Sequence, residues 1–310
     1  MTRERRPASL ALQAPAKVNL FLAVLGKRPD GYHDLETLMV AVDLTDTLEF
    51  WPDESGALTL TCDAPDLTTG PDNLVLRAAE RLKRHVSHPG GAAIHLAKRI
   101  PIQAGLAGGS SDAAATLKGL NRLWNLGLPD AELARLGAEI GSDVAFFFAP
   151  GAAWCTGRGE RVEPITLGRP LDLVLASPAV GLATADVFRR VTVPETPIPG
   201  DAMRAAAVLG DVDEIGRLLH NRLQAPAEEL CPEVRAIRHR LAATGPGGCL
   251  MTGSGTTVFA LCRDRSDAVR VARTMGADVF DPAPHDGTQG HPTTGPGRTG
   301  WNIRVVRSCV

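Results

Sequence analysis

The sequence predicts an α+β protein in which helices and strands are mixed along most of the chain. Its 310 residues suit one large domain or two of moderate size. Short apolar runs bounded by turn residues are interspersed with segments whose apolar residues recur at helical spacing. This mixture favours an α+β layer over a doubly wound parallel sheet.

The first half of the chain is predicted to contain two strands that flank a helix. Residues 58–62 and 92–96 are short apolar segments typical of strands. Between them, Asp72 is the expected N-cap of a helix, because apolar residues follow it at helical spacing. These residues are Leu74, Ala78 and Leu82.

Two further helices are expected after a glycine-rich stretch at 104–109. One begins near residues 110–112 and the other covers 130–140. Their inward-facing residues are expected to be Leu117, Leu120 and Trp124 on the first helix, and Leu133, Leu136 and Ile140 on the second.

The second half is predicted to continue the same mixture of elements. The expected elements are a strand at 171–176, helices at 211–224 and 232–243, a strand at 256–262, a helix at 266–275 and a strand at 302–307. Residues 281–300 are crowded with Pro, Gly, Thr and His and have no apolar period, so we expect a flexible loop there.

Composition and charge exclude several classes of protein. A formal net charge of −2 provides no positive electrostatic field that would attract nucleic acid or an anionic membrane. The longest apolar run, near 144–154, is too short to span a bilayer. The six cysteines are scattered and show no zinc-ligand spacing, which favours reduced thiols in a cytoplasmic protein.

The strongest signal for chemistry is PIQAGLAGGSSDAAATL at residues 101–117. Glycines let backbone N–H groups approach an anion, and the start of the following helix adds free N–H groups and the positive end of its dipole. Ser110 and Ser111 add hydroxyls for a phosphate or for the water shell of a magnesium ion. The residues alone leave a purely structural turn open, and they match neither a Walker A loop nor a dinucleotide fingerprint.

Two segments place charged side chains in apolar surroundings. Strand alternation puts Lys17 and Asn19 of AKVNL on one side, although a lysine in such a place usually reaches solvent. Asp143, in GSDVAFFF at 141–148, lies between a helix end and a very apolar stretch, where an unpaired carboxylate is unfavourable. A lysine would serve as its partner, but a helix cap or turn residue fits the same position.

Two turn segments complete the candidate set. Tyr32, the only tyrosine, is followed by His33 in GYHDLETL at 31–38, where the default role is an amphipathic aromatic at a domain rim. MTGSGTTVFA at 251–260 is a glycine–serine turn that leads into a strand and is by itself a routine loop.

In this order, the segments resemble the GHMP small-molecule kinases. AKVNL, the PxxxGLxGGSSxAAA loop and the late GSG turn correspond to three motifs of that superfamily. The resemblance implies a two-domain GHMP kinase fold. Residues 1–167 would form a domain like ribosomal protein S5 domain 2, and residues 168–310 a ferredoxin-like domain with the flexible insert at 281–300.

Four shorter segments narrow the resemblance. They are GYHDLETL, PDNLVLRAA, GSDVAFF and TGRGE at 156–160. They are similar to the 4-diphosphocytidyl-2-C-methyl-D-erythritol kinase family of the non-mevalonate isoprenoid pathway. That resemblance implies transfer of the γ-phosphate of ATP to the 2-hydroxyl of a cytidyl-diphosphate substrate, with Mg²⁺.

The functional positions of that family carry over to matching residues here. The catalytic pair would be Lys17 and Asp143, with Asp143 accepting or orienting the hydroxyl proton and Lys17 keeping it ionised. The ATP-phosphate loop would comprise Pro101, Ile102, Gln103, Ala104, Gly105, Leu106, Ala107, Gly108, Gly109, Ser110 and Ser111. Tyr32, His33 and Phe188 would hold the cytosine, with Asn19 and Thr184 near the rest of the substrate.

The loop departs from the family pattern at three positions. Gln103 and Ala104 replace early glycines, and Ala107 stands where glycine is usual. Because the alanine methyl groups crowd conformations with positive φ, we expect residues 108–111 to make most of the phosphate contact.

Two alternatives remain open. Another GHMP kinase, acting on homoserine, mevalonate or a sugar, would have no base for Tyr32, His33 and Phe188 to hold. A non-catalytic, ligand-sensing relative would be expected to lose Lys17 or Asp143, and both are present. The sequence leaves open whether the protein is a monomer or a homodimer.

Overall fold

The computed structural model describes residues 8–277 and 300–309. These residues form two compact units, each made of several stretches of chain. The first unit comprises residues 8–16, 44–102 and 107–149, and the second comprises 17–43, 103–106, 150–277 and 300–309.

The described residues contain strands and helices throughout, which confirms the α+β prediction. The strands are β1 (Leu10–Lys27), β2 (His33–Asp53), β3 (Leu58–Cys62), β4 (Gly91–Ala97), β5 (Ala152–Gly157), β6 (Arg161–Pro164), β7 (Asp172–Ser177), β8 (His220–Asn221), β9 (Gly248–Met251), β10 (Val258–Cys262) and β11 (Asn302–Arg307). The α-helices are α1 (Leu74–Val86), α2 (Gly108–Leu123), α3 (Asp130–Ile140), α4 (Thr184–Arg189), α5 (Asp201–Leu209), α6 (Val212–Leu218), α7 (Gln224–Leu230), α8 (Pro232–Ala242) and α9 (Arg265–Thr274), and a short 3₁₀ helix covers Ala145–Phe148.

In the first unit, α1, α2 and α3 pack against one another beside a small sheet. The end of β2 pairs antiparallel with β4, with Phe50 opposite Ile94, and β3 pairs parallel with β4. Gly119 of α2 lies on the Phe50 ring, where an added Cβ would be only 2.5 Å from a ring atom. This glycine therefore sets how closely the helix packs on the sheet.

In the second unit, a four-stranded antiparallel sheet has the order β11-β7-β10-β9. Val174 of β7 lies opposite Ala260 on one side and Val305 on the other, and all three belong to one buried apolar cluster. Elsewhere in this unit, β1 pairs parallel with β8, the start of β2 pairs antiparallel with β5, and β5 pairs with β6.

Most of the predicted elements are confirmed. The predicted strands at 58–62, 92–96, 171–176, 256–262 and 302–307 correspond to β3, β4, β7, β10 and β11, and the predicted helices at 130–140, 232–243 and 266–275 correspond to α3, α8 and α9. The insert predicted at 281–300 lies, except for Gly300, outside the described residues. Within the described part of the chain, the helices are all too short or too polar to cross a bilayer.

The predicted helix at 211–224 is wrong beyond its first half. Helix α6 ends at Leu218, and His220 and Asn221 instead form β8, which pairs with Phe21 and Leu22 of β1. Pairing with a distant strand has therefore overridden local helical periodicity.

Two predictions about helix ends need correction. The N-cap of α1 is Asn73 rather than Asp72, because the Asn73 side chain accepts a hydrogen bond from the Val75 N–H at 2.9 Å. Helix α2 begins at Gly108, earlier than the predicted start near Ser110, and Trp124 lies half-buried at its end rather than in the core. The Trp124 ring stacks on another ring and its N–H bonds a backbone carbonyl, which satisfies its polar edge there.

Candidate active site

The Lys17 side chain is buried in β1, with 3% of its surface exposed. Its ammonium group donates to Asn19 Oδ1 at 2.7 Å and to the Gly105 carbonyl at 3.0 Å. The expectation that a lysine here reaches solvent is therefore wrong. A buried ammonium requires such acceptors, and they fix its direction.

Asn19 is held by two threonines. Its side-chain N–H donates to Thr37 Oγ1 at 2.8 Å, and its backbone N–H donates to Thr252 Oγ1 at 2.9 Å. Thr37 in turn donates to the Phe21 carbonyl at 2.6 Å. The amide is thereby oriented with its oxygen towards Lys17, which lies on the same side of β1 because residues two apart on a strand share a face.

The turn after β9 packs tightly against Lys17. An added Cβ at Gly253 would be 2.7 Å from the Gly105 carbonyl oxygen and 3.1 Å from Lys17 Nζ, and Gly253 has a φ of +55°. Asn221 secures this turn by donating to the Met251 carbonyl at 2.6 Å and to the Gly253 carbonyl at 2.8 Å. Sequence reasoning does not identify Asn221, because no local pattern distinguishes it.

The early part of the predicted phosphate loop, residues 103–106, belongs to the second unit. Gln103 adopts the left-handed conformation with a φ of 52°, despite its side chain, and Gly105 has a φ of 77°. An added Cβ at Gly105 would be 2.2 Å from the Thr252 carbonyl oxygen. Glycine is therefore required at 105 for close packing, which brings its own carbonyl to Lys17.

The later part of the loop lies in the first unit and starts α2. Ala107 is the N-cap residue, has a φ of 54°, and makes no side-chain capping bond. The first N–H groups of an α-helix have no partner within the helix, so this start can receive an anion. The Ser111 hydroxyl is buried and has no hydrogen-bond partner among the described residues, which fits a ligand group supplied from outside the chain.

Asp143 also belongs to the first unit. It lies half-buried between the end of α3 and the 3₁₀ helix Ala145–Phe148. The Lys118 ammonium supports this segment by donating to the Phe147 carbonyl at 2.7 Å. Lys17 and Asp143 are parts of different units, and their pairing stays a prediction.

Two of the three predicted cytosine-binding residues lie together in the second unit. The rings of His33 and Phe188 stack with centroids 5.3 Å apart. Burial, with a smaller contribution from the Lys27 charge, lowers the pKa of His33 below its usual value, which favours the neutral ring. The Tyr32 ring is 53% exposed and has the Arg158 guanidinium 4.8 Å from its centroid. Sequence reasoning did not single out Arg158.

Thr184, the remaining predicted substrate residue, starts α4. Its hydroxyl lies 2.9 Å from the Ser254 hydroxyl in the turn after β9, and Ser254 was not among the predicted site residues. The part of the chain that the structure describes contains no group of three or more His, Cys, Asp or Glu residues placed to hold a metal ion.

Comparison with known proteins assigns the chain to a family. Residues 73–151 match the model of the GHMP kinases N terminal domain, and residues 203–281 match that of the GHMP kinases C terminal. These matches lie on either side of the predicted domain boundary at 167, which itself stays a prediction. The two matches agree with the predicted two-domain GHMP kinase fold.

Similar proteins support the same family. The chain is 45% identical over 262 residues to 4-diphosphocytidyl-2-C-methyl-D-erythritol kinase of Shouchella clausii (strain KSM-K16), covering 84% of this chain and 88% of that protein. A crystal structure of 4-(cytidine 5'-diphospho)-2C-methyl-D-erythritol kinase has a TM-score of 0.76 and 34% identity, and covers 97% of this chain and 100% of the other. A structure of homoserine kinase from Cytophaga hutchinsonii has a TM-score of 0.72 and covers 100% of this chain and 97% of the other. At 18% identity, this similarity shows the fold alone. The chain therefore belongs to the GHMP kinases, and within them to the 4-diphosphocytidyl-2-C-methyl-D-erythritol kinase family.

Proposed function

We propose that this protein uses ATP to phosphorylate the 2-hydroxyl group of 4-diphosphocytidyl-2-C-methyl-D-erythritol, in the non-mevalonate pathway to isoprenoid precursors. The observation that carries the proposal is 45% identity to a curated kinase of that name over 84% of this chain. The buried Lys17 and the uncapped start of α2 supply the kind of groups that phosphoryl transfer requires.

Lys17 and Asp143 are the proposed catalytic pair. Phosphoryl transfer depends on alignment and charge stabilisation more than on covalent chemistry. The hydrogen bonds to Asn19 and Gly105 hold the Lys17 ammonium in one direction, so it is organised before the substrate binds. Asp143 would accept or orient the proton of the substrate hydroxyl. Pairing with Lys17 lowers the basicity of the carboxylate, so orientation matters more than proton removal.

The start of α2 is the proposed site for the ATP phosphates. The N–H groups of residues 108–110 and the Ser111 hydroxyl would bind phosphate oxygens. A magnesium ion accompanying ATP would keep much of its water shell and be held largely by phosphate oxygens, as is usual for this ion. When bound, that ion would neutralise charge on the transferring phosphate.

The acceptor is proposed to bind through its cytosine ring. The stacked pair of His33 and Phe188 and the exposed Tyr32 ring provide aromatic surfaces in the second unit. Stacking on such surfaces contributes roughly 1–3 kcal/mol per base. Thr184 and Asn19 would contact the rest of the molecule. As parts of the same proposal, the enzyme works in the cytoplasm as a monomer or homodimer, on a small molecule, with no nucleic-acid or membrane partner.

A coupled assay of ATP consumption tests the substrate. The purified protein is supplied in turn with 4-diphosphocytidyl-2-C-methyl-D-erythritol, its uridine analogue, mevalonate and homoserine. We expect turnover with the cytidyl compound, slower turnover with the uridine analogue and none with the other two, because only the first presents the cytosine edge. Faster turnover of mevalonate or homoserine would contradict the proposal, and tight binding of the cytidyl compound without turnover would identify a ligand-sensing relative.

A further inference from the structure

A lysine lies buried between two aspartates in the first unit. The Lys98 ammonium donates to Asp46 Oδ2 and, at 3.0 Å, to Asp112 Oδ2. The exposed fractions of the three side chains are 6%, 0% and 2%, in the order Lys98, Asp46 and Asp112. None of the three belongs to the site described above.

These residues hold the chain at both ends of the phosphate loop. Asp46 Oδ1 accepts hydrogen bonds from the backbone N–H groups of Arg99 at 2.5 Å and Ile100 at 2.9 Å, directly before the loop begins. Asp112 is the fifth residue of α2 and comes directly after the loop ends. Lys98 therefore ties the entry of residues 101–111 to their exit through one ammonium group.

The ammonium also lies directly against the start of the helix. An added Cβ at Gly108 would be 2.8 Å from Lys98 Nζ and 3.0 Å from Ile100 Cγ2. Gly108 is not among the residues with positive φ, so glycine is required here for close approach rather than for backbone conformation.

The cluster is poorly suited to a purely stabilising role. Two carboxylates share one ammonium, and burial raises the pKa of Asp112 to about 7 although the charge of Lys98 opposes that rise. Buried ion pairs often add no net stability, because apolar residues of similar volume can replace them without loss. What the cluster does supply is a fixed geometry between the two ends of the loop.

We propose that Lys98 is a positioning residue for ATP binding, which holds the first turn of α2 in place before the nucleotide arrives. The inference rests on the proposed function, because it assumes that residues 108–111 bind the phosphates. With the helix start held by Asp46, Lys98 and Asp112, the N–H groups of residues 108–110 and the unpartnered Ser111 hydroxyl keep one arrangement. The loop is then already ordered in the folded protein. The entropy cost of ordering it therefore does not reduce the free energy of nucleotide binding.

Two variants and a control test this role. Lys98→Met removes the ammonium group and keeps the length of the side chain. The triple variant Asp46→Asn, Lys98→Met, Asp112→Asn makes the whole cluster neutral, which guards against unfolding caused by two unbalanced carboxylates. Lys83→Met is the matched control, since Lys83 is a half-buried lysine of the first unit that bonds the Gly56 carbonyl away from the loop.

The readouts separate positioning from stability. They are the KM for ATP, the KM for the acceptor, the Kd of a non-hydrolysable ATP analogue by calorimetry, and hydrogen exchange of amides 108–112 in the free enzyme. In both cluster variants we expect the KM and Kd for nucleotide to rise about 10- to 100-fold, as when groups that orient a binding site are lost. The acceptor KM and the Lys83→Met values should stay near wild type, and amides 108–112 should exchange faster.

Wild-type nucleotide affinity in a folded cluster variant would overturn the proposal. The proposal would also be overturned if the triple variant, unlike Lys98→Met, had wild-type stability and wild-type nucleotide affinity. The cluster would then have only a structural role. If the proposed function itself is wrong, the wild-type protein will fail to transfer phosphate to the cytidyl acceptor. The calorimetric comparison still decides the role of Lys98 in that case, because it requires no turnover.

Discussion

At the scale of single residues, the site depends on main-chain groups as much as on side chains. The Gly105 carbonyl accepts from Lys17, and Gly253 leaves the space that the ammonium occupies. The AKVNL motif indicates Lys17 and Asn19 as functional residues. It does not predict that Lys17 is buried, because the turn after β9 that packs against it lies more than two hundred positions away in the chain. Such a contact has no local sequence signal.

Asp143→Asn tests the proposed base. The amide cannot accept a proton and lacks the negative charge that would orient the hydroxyl, so turnover should fall by about 10² to 10⁴ with little change in the KM for ATP. Steady-state kinetics with the cytidyl acceptor measure both quantities. Asp130→Asn, at the exposed start of α3, is the control and should keep normal turnover. Near-normal turnover of Asp143→Asn would remove Asp143 from the catalytic role.

Gly253→Ala tests the packing beside Lys17. A non-glycine residue in the left-handed region costs roughly 1–2 kcal/mol, and here the new methyl would also press on the Gly105 carbonyl and the Lys17 ammonium. We therefore expect a lower unfolding temperature and a strongly reduced kcat. Gly127→Ala separates the two effects, because Gly127 has a φ of +70° but no atom within 4 Å of the new Cβ. Equal thermal losses with unchanged kcat in both variants would contradict this account.

At the scale of helices and strands, periodicity located elements well and end residues poorly. The apolar stripe of α3 identified all of that helix, whereas the cap of α1 was placed one residue early because Asp72 and Asn73 are both good caps. Which of the two residues caps α1 depends on the path of the backbone at the start of the helix. The helix predicted at 211–224 is interrupted because His220 and Asn221 pair with β1, which lies far away in the chain.

The cap of α1 can be tested by two alanine substitutions. Asn73→Ala should lower the free energy of unfolding by about 1 kcal/mol, because the Val75 N–H loses its acceptor. Asp72→Ala, at an exposed neighbouring position, should have little effect. Urea denaturation measures both, and a larger loss from Asp72→Ala would show that the cap is assigned to the wrong residue.

The buried cluster at the start of α2 predicts a pH effect on stability. Burial raises the pKa of Asp112 from 3.8 in the unfolded chain to about 7 in the folded one. The folded state therefore binds more protons between these values, so this group makes the protein less stable as pH rises from about 4 to 7. Asp112→Asn should flatten that part of the profile of unfolding temperature against pH. An unchanged slope would show that Asp112 does not titrate in this window.

At the scale of the whole molecule, the fold class and the order of motifs were predictable, and the composition of the units was not. Mixed periodicities gave the α+β class, and three motifs in sequence indicated a GHMP kinase. Each compact unit, however, gathers several separate stretches of chain, including residues 103–106 from within the phosphate loop. The stretches that come together in each unit are determined by the long-range pairing of β1 and β2. No local sequence pattern predicts that pairing.

The state of the cysteines is a property of the folded chain as a whole. All six are free, and burial raises the pKa of Cys249 and Cys262 to about 12 and that of Cys309 to about 11. Since the thiolate is the reactive form, a thiol reagent at pH 8 should label these three cysteines slowly in the native protein and all six positions rapidly in guanidinium chloride. Activity should not depend on added reductant. Rapid labelling of Cys249, Cys262 or Cys309 in the native protein would contradict this burial.

Deamidation of the Asn221 side chain would be a chemical route to slow inactivation of the enzyme. Deamidation would replace its N–H donors by carboxylate oxygens that face the Met251 and Gly253 carbonyls, turning two attractions into repulsions. The turn beside Lys17 would lose its anchor although no residue of the proposed catalytic pair had been altered. Because Asn221 is buried, we expect this damage to begin only when the surrounding strand opens, so the working lifetime of the enzyme would follow the rate of that local opening.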